Sequence, residues 1–261
     1  MIVLSISIVI ALLITIGLPL LAGVWLNRKT GLSWRVIIYG IMAYLIVQIL
    51  VTLLLNGFSA LVQNQVITLS DQSLENVQIF LSVFLGILLG VLVRWAGMKF
   101  LKEGLTTLKS AIGIGLGYGG IESIMLVGLP LLTTFITMLS NINIDPETTT
   151  LDPAIVTQIE ELWQVSFLVP LAGSLERIAS FVMHITVTVL ILQVFRKNKP
   201  LWLGAAFGVE LLVTGLVVGL SEMGVDYGWV ILVSLILMAG NLFLLYKLDA
   251  FDIIHLKKAI E

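Results

Sequence analysis

Seven long apolar stretches divide this chain, and every lysine and arginine between them falls in alternate gaps. The stretches cover about 2–26, 34–55, 77–100, 107–132, 163–195, 201–220 and 228–246. A hydrocarbon core about 30 Å thick needs about 20 apolar residues per helix, so each stretch reads as a membrane span. Arg28, Lys29 and Arg35 lie in the first gap; Lys99, Lys102 and Lys109 (with Glu103) in the third; Arg196, Lys197 and Lys199 in the fifth. Lys247, Lys257 and Lys258 come after the last span. The other gaps carry acids only: Asp71 and Glu75, then Asp145, Glu147, Asp152, Glu160 and Glu161, then Glu222 and Asp226. Basic residues are retained on the cytoplasmic side during insertion, so the pattern predicts an outside N-terminus and a cytoplasmic C-terminus.

Composition agrees. Of 261 residues, 59% are hydrophobic and only 11% charged, where a soluble domain carries about a quarter. The expected architecture is an all-α, polytopic helical bundle forming a single transmembrane domain, 1–261, in a bacterial cytoplasmic (plasma) membrane. No basic face exists to bind nucleic acid. Cysteine is absent, which removes disulfides, thiol nucleophiles and Cys-ligated metal. The first stretch has no basic residues ahead of it and no small-residue cleavage site, and reads as a retained helix. No sequence repeat or low-complexity tract is apparent.

Three connections invite expectations. The segment 141–162, with Pro146 and Pro153, reads as a solvated outer loop or a partner-binding loop. Residues 57–72 mix apolar and polar types and read as interfacial or re-entrant. In the tail, Phe251, Ile254 and Lys258 recur at helical spacing, which predicts a surface helix over about 248–261 with His255 at the interface.

Function is to be sought in the polar residues inside the spans. An ionisable group in hydrocarbon costs at least about 2.5–3.5 kcal/mol on insertion scales and needs a partner, a metal or a water cavity. The candidates are Arg94, Glu122, Glu176, Arg177, His184 and Glu210, with Tyr118 nearby. Counting from the basic ends at about 1.5 Å per residue puts Glu122 about 19 Å deep, His184 about 18 Å and Glu210 about 16 Å. These three can meet if their helices are neighbours. Of them Glu210 has the weakest claim, because its surroundings carry no other signal. Glu176 and Arg177 lie about 12 Å further out. They read as an ion pair that fixes packing or as part of a site, and Pro170 and Gly173 can bring Glu176 inward. Arg94 reads as a side chain that snorkels to the inner surface. In the fourth span, Gly113/Gly117 and Gly115/Gly119 are pairs of small residues four apart, which let helices approach closely.

Two segments resemble the YhfC family of intramembrane metalloproteases, relatives of the CAAX-prenyl-protease-like membrane peptidases. The first is Gly117-Tyr118-Gly119-Gly120-Ile121-Glu122, where the family shows Gly-His-Gly-Gly-x-Glu. The second is Glu176-Arg177 followed by His184 in one helix. The number and order of spans also fit. The resemblance implies hydrolysis of a peptide bond in a membrane or lipidated substrate, assisted by a metal, zinc by preference. Carried over, His184, Glu122 and Glu176 are the metal ligands, Glu122 and Glu176 the catalytic carboxylates, and Arg177, Arg94 and Tyr118 the structural and electrostatic supports. The sequence departs from the pattern twice. Tyr118 stands where the family has histidine, and Leu88-Leu89-Gly90-Val91 stands where paired glutamates precede the arginine. The alternative is therefore a catalytically inactive scaffold or binding subunit that holds a transmembrane partner, and after that a small transporter.

Overall fold

A computed structural model describes residues 1–100, 105–143 and 152–251. Among them every regular element is a helix: α1 Ile2–Leu12, α2 Leu18–Thr30, α3 Trp34–Gln63, α4 Asp71–Phe100, α5 Leu108–Ser123, α6 Leu129–Ser140, α7 Pro153–Gln164, α8 Leu168–Lys197, α9 Leu201–Glu222 and α10 Tyr227–Lys247. α1 and α2 run on as one span, as do α5 and α6, which makes seven helices long and apolar enough to cross a membrane. This is an integral membrane helical bundle, as the apolar pattern predicts. Helix ends are set by local chemistry. Ser33 and Thr107 cap α3 and α5 by accepting from Arg35 N and Ser110 N, and Gly31 closes α2 at φ +69°.

α8 is the axis of the bundle. Two thirds of its most apolar window, 67%, is buried, against 17–39% for the other spans. It packs on α1, α4, α5, α9 and α10. α5 is wedged between α8 and α3, and its glycines are the reason it fits. A Cβ on Gly115 would stand 2.6 Å from Ile185 Cα in α8, and one on Gly117 would stand 2.1 Å from the Ile37 carbonyl oxygen in α3. The two glycine pairs thus face opposite neighbours, and backbone meets backbone on both sides.

A short repeat escaped the sequence reading. Gly-Leu-Pro-Leu-Leu occurs at 17–21 and again at 128–132. Each copy begins on the last residue of a single π-helical turn, Leu13–Gly17 in the first span and Ile124–Gly128 in the fourth, and the two turns pack together. Pro19 has no N–H to give the Thr15 carbonyl four residues back. The Ser123 hydroxyl donates to that carbonyl instead, at 3.0 Å. In lipid an unpaired carbonyl has no water to turn to, so this bond ties the turn after Glu122 to the first span.

The connections correct two expectations. Helix α3 continues through Gln63, and α4 begins at Asp71. Most of 57–72 is therefore helix plus a tight turn, and it does not re-enter. Within 141–162, the described part holds α7, capped by Asp152 on Ala154 N. Its Val156 and Ile159 are buried, and Leu162 and Trp163 pack on Leu4, Ile8 and Met138. An apolar face at helical spacing folds this stretch onto the bundle. Residues 144–151 and the tail from 252, with Ile254, His255 and Lys258, lie outside the described residues.

Candidate functional site

Depth matching brings together the groups it was expected to. His184 Nε2 of α8 lies 2.8 Å from Glu122 Oε2 of α5, and His184 Nδ1 lies 3.5 Å from Glu210 Oε1 of α9. The imidazole is only 2% exposed. Gly119 makes the first contact possible, because its missing side chain leaves room for His184 Cβ 3.1 Å from where its own would be.

Each glutamate also meets an arginine. Arg94 Nη2 donates to Glu210 Oε2 at 2.6 Å, Nε to the Gly90 carbonyl at 2.8 Å and Nη1 to Thr188 Oγ1 at 3.4 Å. Arg94 is completely buried, so it does not snorkel; Glu210 holds it inside. Arg177 donates to Glu176 beside it and, at 3.4 Å, to Glu122 Oε1. Ser180 Oγ adds a bond to the same Glu122 oxygen at 3.1 Å. The pair Glu176-Arg177 therefore both closes on itself and reaches the central carboxylate. Tyr118 fills the middle, with its ring 4.3 Å from the Arg94 guanidinium carbon and 4.9 Å from the His184 ring centroid. It lends a quadrupole face to the buried cation.

Two cavities meet at Glu122. One of about 260 Å³ is lined by Gln48, Gly86, Tyr118, Glu122, His184 and Glu210, among others. A smaller one of about 70 Å³ is bordered by Glu122, Glu176, Arg177 and Ser180. Both touch Glu122 and Thr214. Polar side chains and open volume in the middle of apolar helices are what a reaction site in a membrane requires.

Of the residues singled out from the sequence, Glu122 and His184 are in direct contact, Glu176 joins them through Arg177, and Tyr118 and Arg94 flank them. Glu210 was undervalued and Ser180 missed. Ser180 precedes His184 by one helical turn, which was a usable signal.

The donor set is a poor match for the expected metal. Catalytic zinc takes three protein ligands at about 2.0–2.2 Å. Neither ring nitrogen of His184 makes a well-directed hydrogen bond, which suits an imidazole free to ligate. Around Nε2, however, only Glu122 offers a further anionic oxygen. Glu210 lies on the other nitrogen. Glu176 is held by Arg177, whose guanidinium also takes Glu122 and puts positive charge where a cation would sit. Among the described residues no group of three or more His, Cys, Asp or Glu is placed to hold a metal ion. As arranged, His184, Glu122 and Glu176 do not form a zinc cage.

No curated protein and no solved structure matches this chain. A family model described as YhfC intramembrane metalloprotease matches residues 10–237. That stretch contains all seven spans in whole or in part and every residue of the cluster, and the chain belongs to the YhfC intramembrane metalloprotease family.

Proposed function

We propose that this protein hydrolyses a peptide bond of a transmembrane or lipidated substrate inside a bacterial cytoplasmic membrane, with its N-terminus outside. The observation that carries the reading is the 2.8 Å contact between Glu122 and His184 at the wall of an open cavity. A carboxylate and an imidazole in contact form an acid–base pair when the reacting proton lies within hydrogen-bond reach. Glu122, bordering both cavities, takes a proton from a water and directs the oxygen at the substrate carbonyl. His184 relays that proton to the departing amide nitrogen. Arg177, beside Glu122, faces the negative charge that develops on the carbonyl oxygen. Glu176 positions Arg177. The family's metal would find only one imidazole nitrogen and one carboxylate here.

The test is reconstitution into liposomes with a mixture of synthetic transmembrane and prenylated peptides, with the products read by mass spectrometry. Wild-type protein is expected to release fragments. Glu122→Gln, which keeps the shape and removes the base, is expected to release about 100-fold fewer or less. Equal fragment yields from the two proteins overturn the reading.

One observation favours a second reading, a non-catalytic subunit. Every carboxylate of the cluster is already matched to an arginine, as in a fixed packing device. A stoichiometric partner that co-purifies, with no product from wild-type protein, would select it.

A further inference from the structure

The larger of the two cavities at Glu122 is walled on one side by α3 and α4. These helices are antiparallel neighbours stapled at two levels. Toward one end the Tyr39 hydroxyl donates to the Val93 carbonyl at 3.0 Å. Toward the other Gln78 Nε2 donates to Ser59 Oγ at 3.3 Å. Midway between the staples stand Gln48 on α3 and Ser82, Val83 and Gly86 on α4, all lining the cavity. A Cβ on Gly86 would meet nothing within 4 Å. The wall has a gap there.

Gln48 is the anomaly of this gap. It occupies the middle of α3, about 21 Å along the helix from Trp34, at a depth where lipid offers no hydrogen bonds. Its side chain is exposed and has no hydrogen-bond partner among the described residues. An unpaired amide in hydrocarbon is costly. Cavity water can meet that need, so a partner that enters the gap from the membrane and displaces the water must offer hydrogen bonds in its place. A lipid acyl chain carries no donor or acceptor. A continuous helix uses its own backbone groups internally. An unwound peptide segment presents alternating N–H and C=O groups, and a carboxamide can accept from one and donate to the next.

We infer that the α3–α4 gap is a lateral window that admits an unwound stretch of a transmembrane substrate, and that Gln48 holds its backbone against the Glu122–His184 pair. The inference rests on the hydrolytic reading for the chemical step after binding. Gln48 is a positioning residue, with Ser82 on the opposite lip and Gly86 kept small to leave the passage clear.

The native absence of cysteine makes a clean test. Single cysteines are placed at Ser82 and, as a lipid-facing control at mid-depth on α10, at Ile236, which is 61% exposed. The probe is a synthetic Leu/Ala transmembrane peptide with one central cysteine, made with and without a Gly-Pro break beside it. In liposomes, Ser82→Cys is expected to form a disulfide with the broken peptide about tenfold faster than Ile236→Cys, the weight of one well-made hydrogen bond. Gln48→Leu, an apolar change toward lipid, should reduce that rate to the control's, and Gly86→Phe should block it. The inference is overturned if Ser82→Cys reacts no faster than the control, if the unbroken peptide reacts as fast as the broken one, or if Gln48→Leu changes nothing. Cleavage of the same peptides by wild type, read beside capture, separates the two proposals. Capture retained while wild type cleaves nothing sinks hydrolysis and leaves the window; cleavage without preferential capture at Ser82 sinks the window.

Discussion

His184 stands between two glutamates from two other helices, with Glu122 at its Nε2 and Glu210 at its Nδ1. The imidazole therefore touches acids of both α5 and α9, and the two acids differ in their surroundings. Glu122 borders both cavities, whereas Glu210 borders only the larger one, is buried and is held by Arg94. Glu122→Gln should fold normally and lose peptide cleavage by about 100-fold or more. Glu210→Gln should chiefly lower thermal stability, because it weakens the Arg94 pair. Comparing cleavage rates and unfolding temperatures of the two variants checks the division. Equal losses of cleavage at equal stability would refute it.

The Arg94–Glu210 pair is buried, with the arginine fully so and Glu210 at the wall of the larger cavity. Removing one partner from such a pair leaves a bare charge and costs about 3–5 kcal/mol. Arg94→Ala should therefore unfold in detergent at a much lower temperature than wild type. The double variant Arg94→Met, Glu210→Leu removes both charges and should recover most of the loss. Thermal unfolding of the three purified proteins decides it. A double variant no better than the single would mean that Arg94 acts through Tyr118 and Gly90 rather than through Glu210.

Most of the architecture was legible because lipid simplifies the problem: long apolar runs can only be helices, and this fixes the number and order of spans. Depth counting also brought His184 near Glu122, since 1.5 Å per residue is a reliable ruler along a helix. Lateral neighbours are not written in that ruler. Glu210 was undervalued for this reason, and Arg94 was sent to the surface because a basic end lay close in sequence. α7 was hidden by its polar, proline-flanked start, although Val156, Ile159, Leu162 and Trp163 already carried an apolar helical face. Gln48 carries no ionisable group, so charge patterning does not mark it, although an amide in lipid also needs hydrogen-bond partners.

The glycines of α5 give a prediction about stability that is independent of chemistry. Gly115→Ala and Gly117→Ala would push a methyl into the backbone of α8 and α3 respectively. Overpacking of this kind costs about 1–3 kcal/mol, and rigid backbone on the far side leaves little room to yield. Gly86→Ala meets open space and should leave stability unchanged or slightly raised, since alanine favours a helix over glycine by up to about 1 kcal/mol. Unfolding temperatures of the three variants in one detergent test the ordering. A loss at Gly86 as large as at Gly117 would contradict the packing described for α5.

Metal dependence is the sharpest point of tension between the family and this chain. A bound metal that only the folded state holds stabilises it, and removing the metal lowers the unfolding temperature. Here Arg177 is already shared between Glu122 and Glu176, and His184 offers its two nitrogens to acids on opposite edges. Zinc would have to expel a guanidinium and recruit a third ligand. Protein purified without chelator should therefore carry zinc well below one equivalent by elemental analysis. Its unfolding temperature should be the same with and without a strong chelator, and so should its peptide cleavage. Arg177→Ala supplies the converse. It frees Glu122 and Glu176 from their shared cation, and of all single variants it should gain the most zinc. Stoichiometric zinc in the wild type, lost on chelation together with stability, would mean that Arg177 swings away and that the carboxylates close on a metal instead.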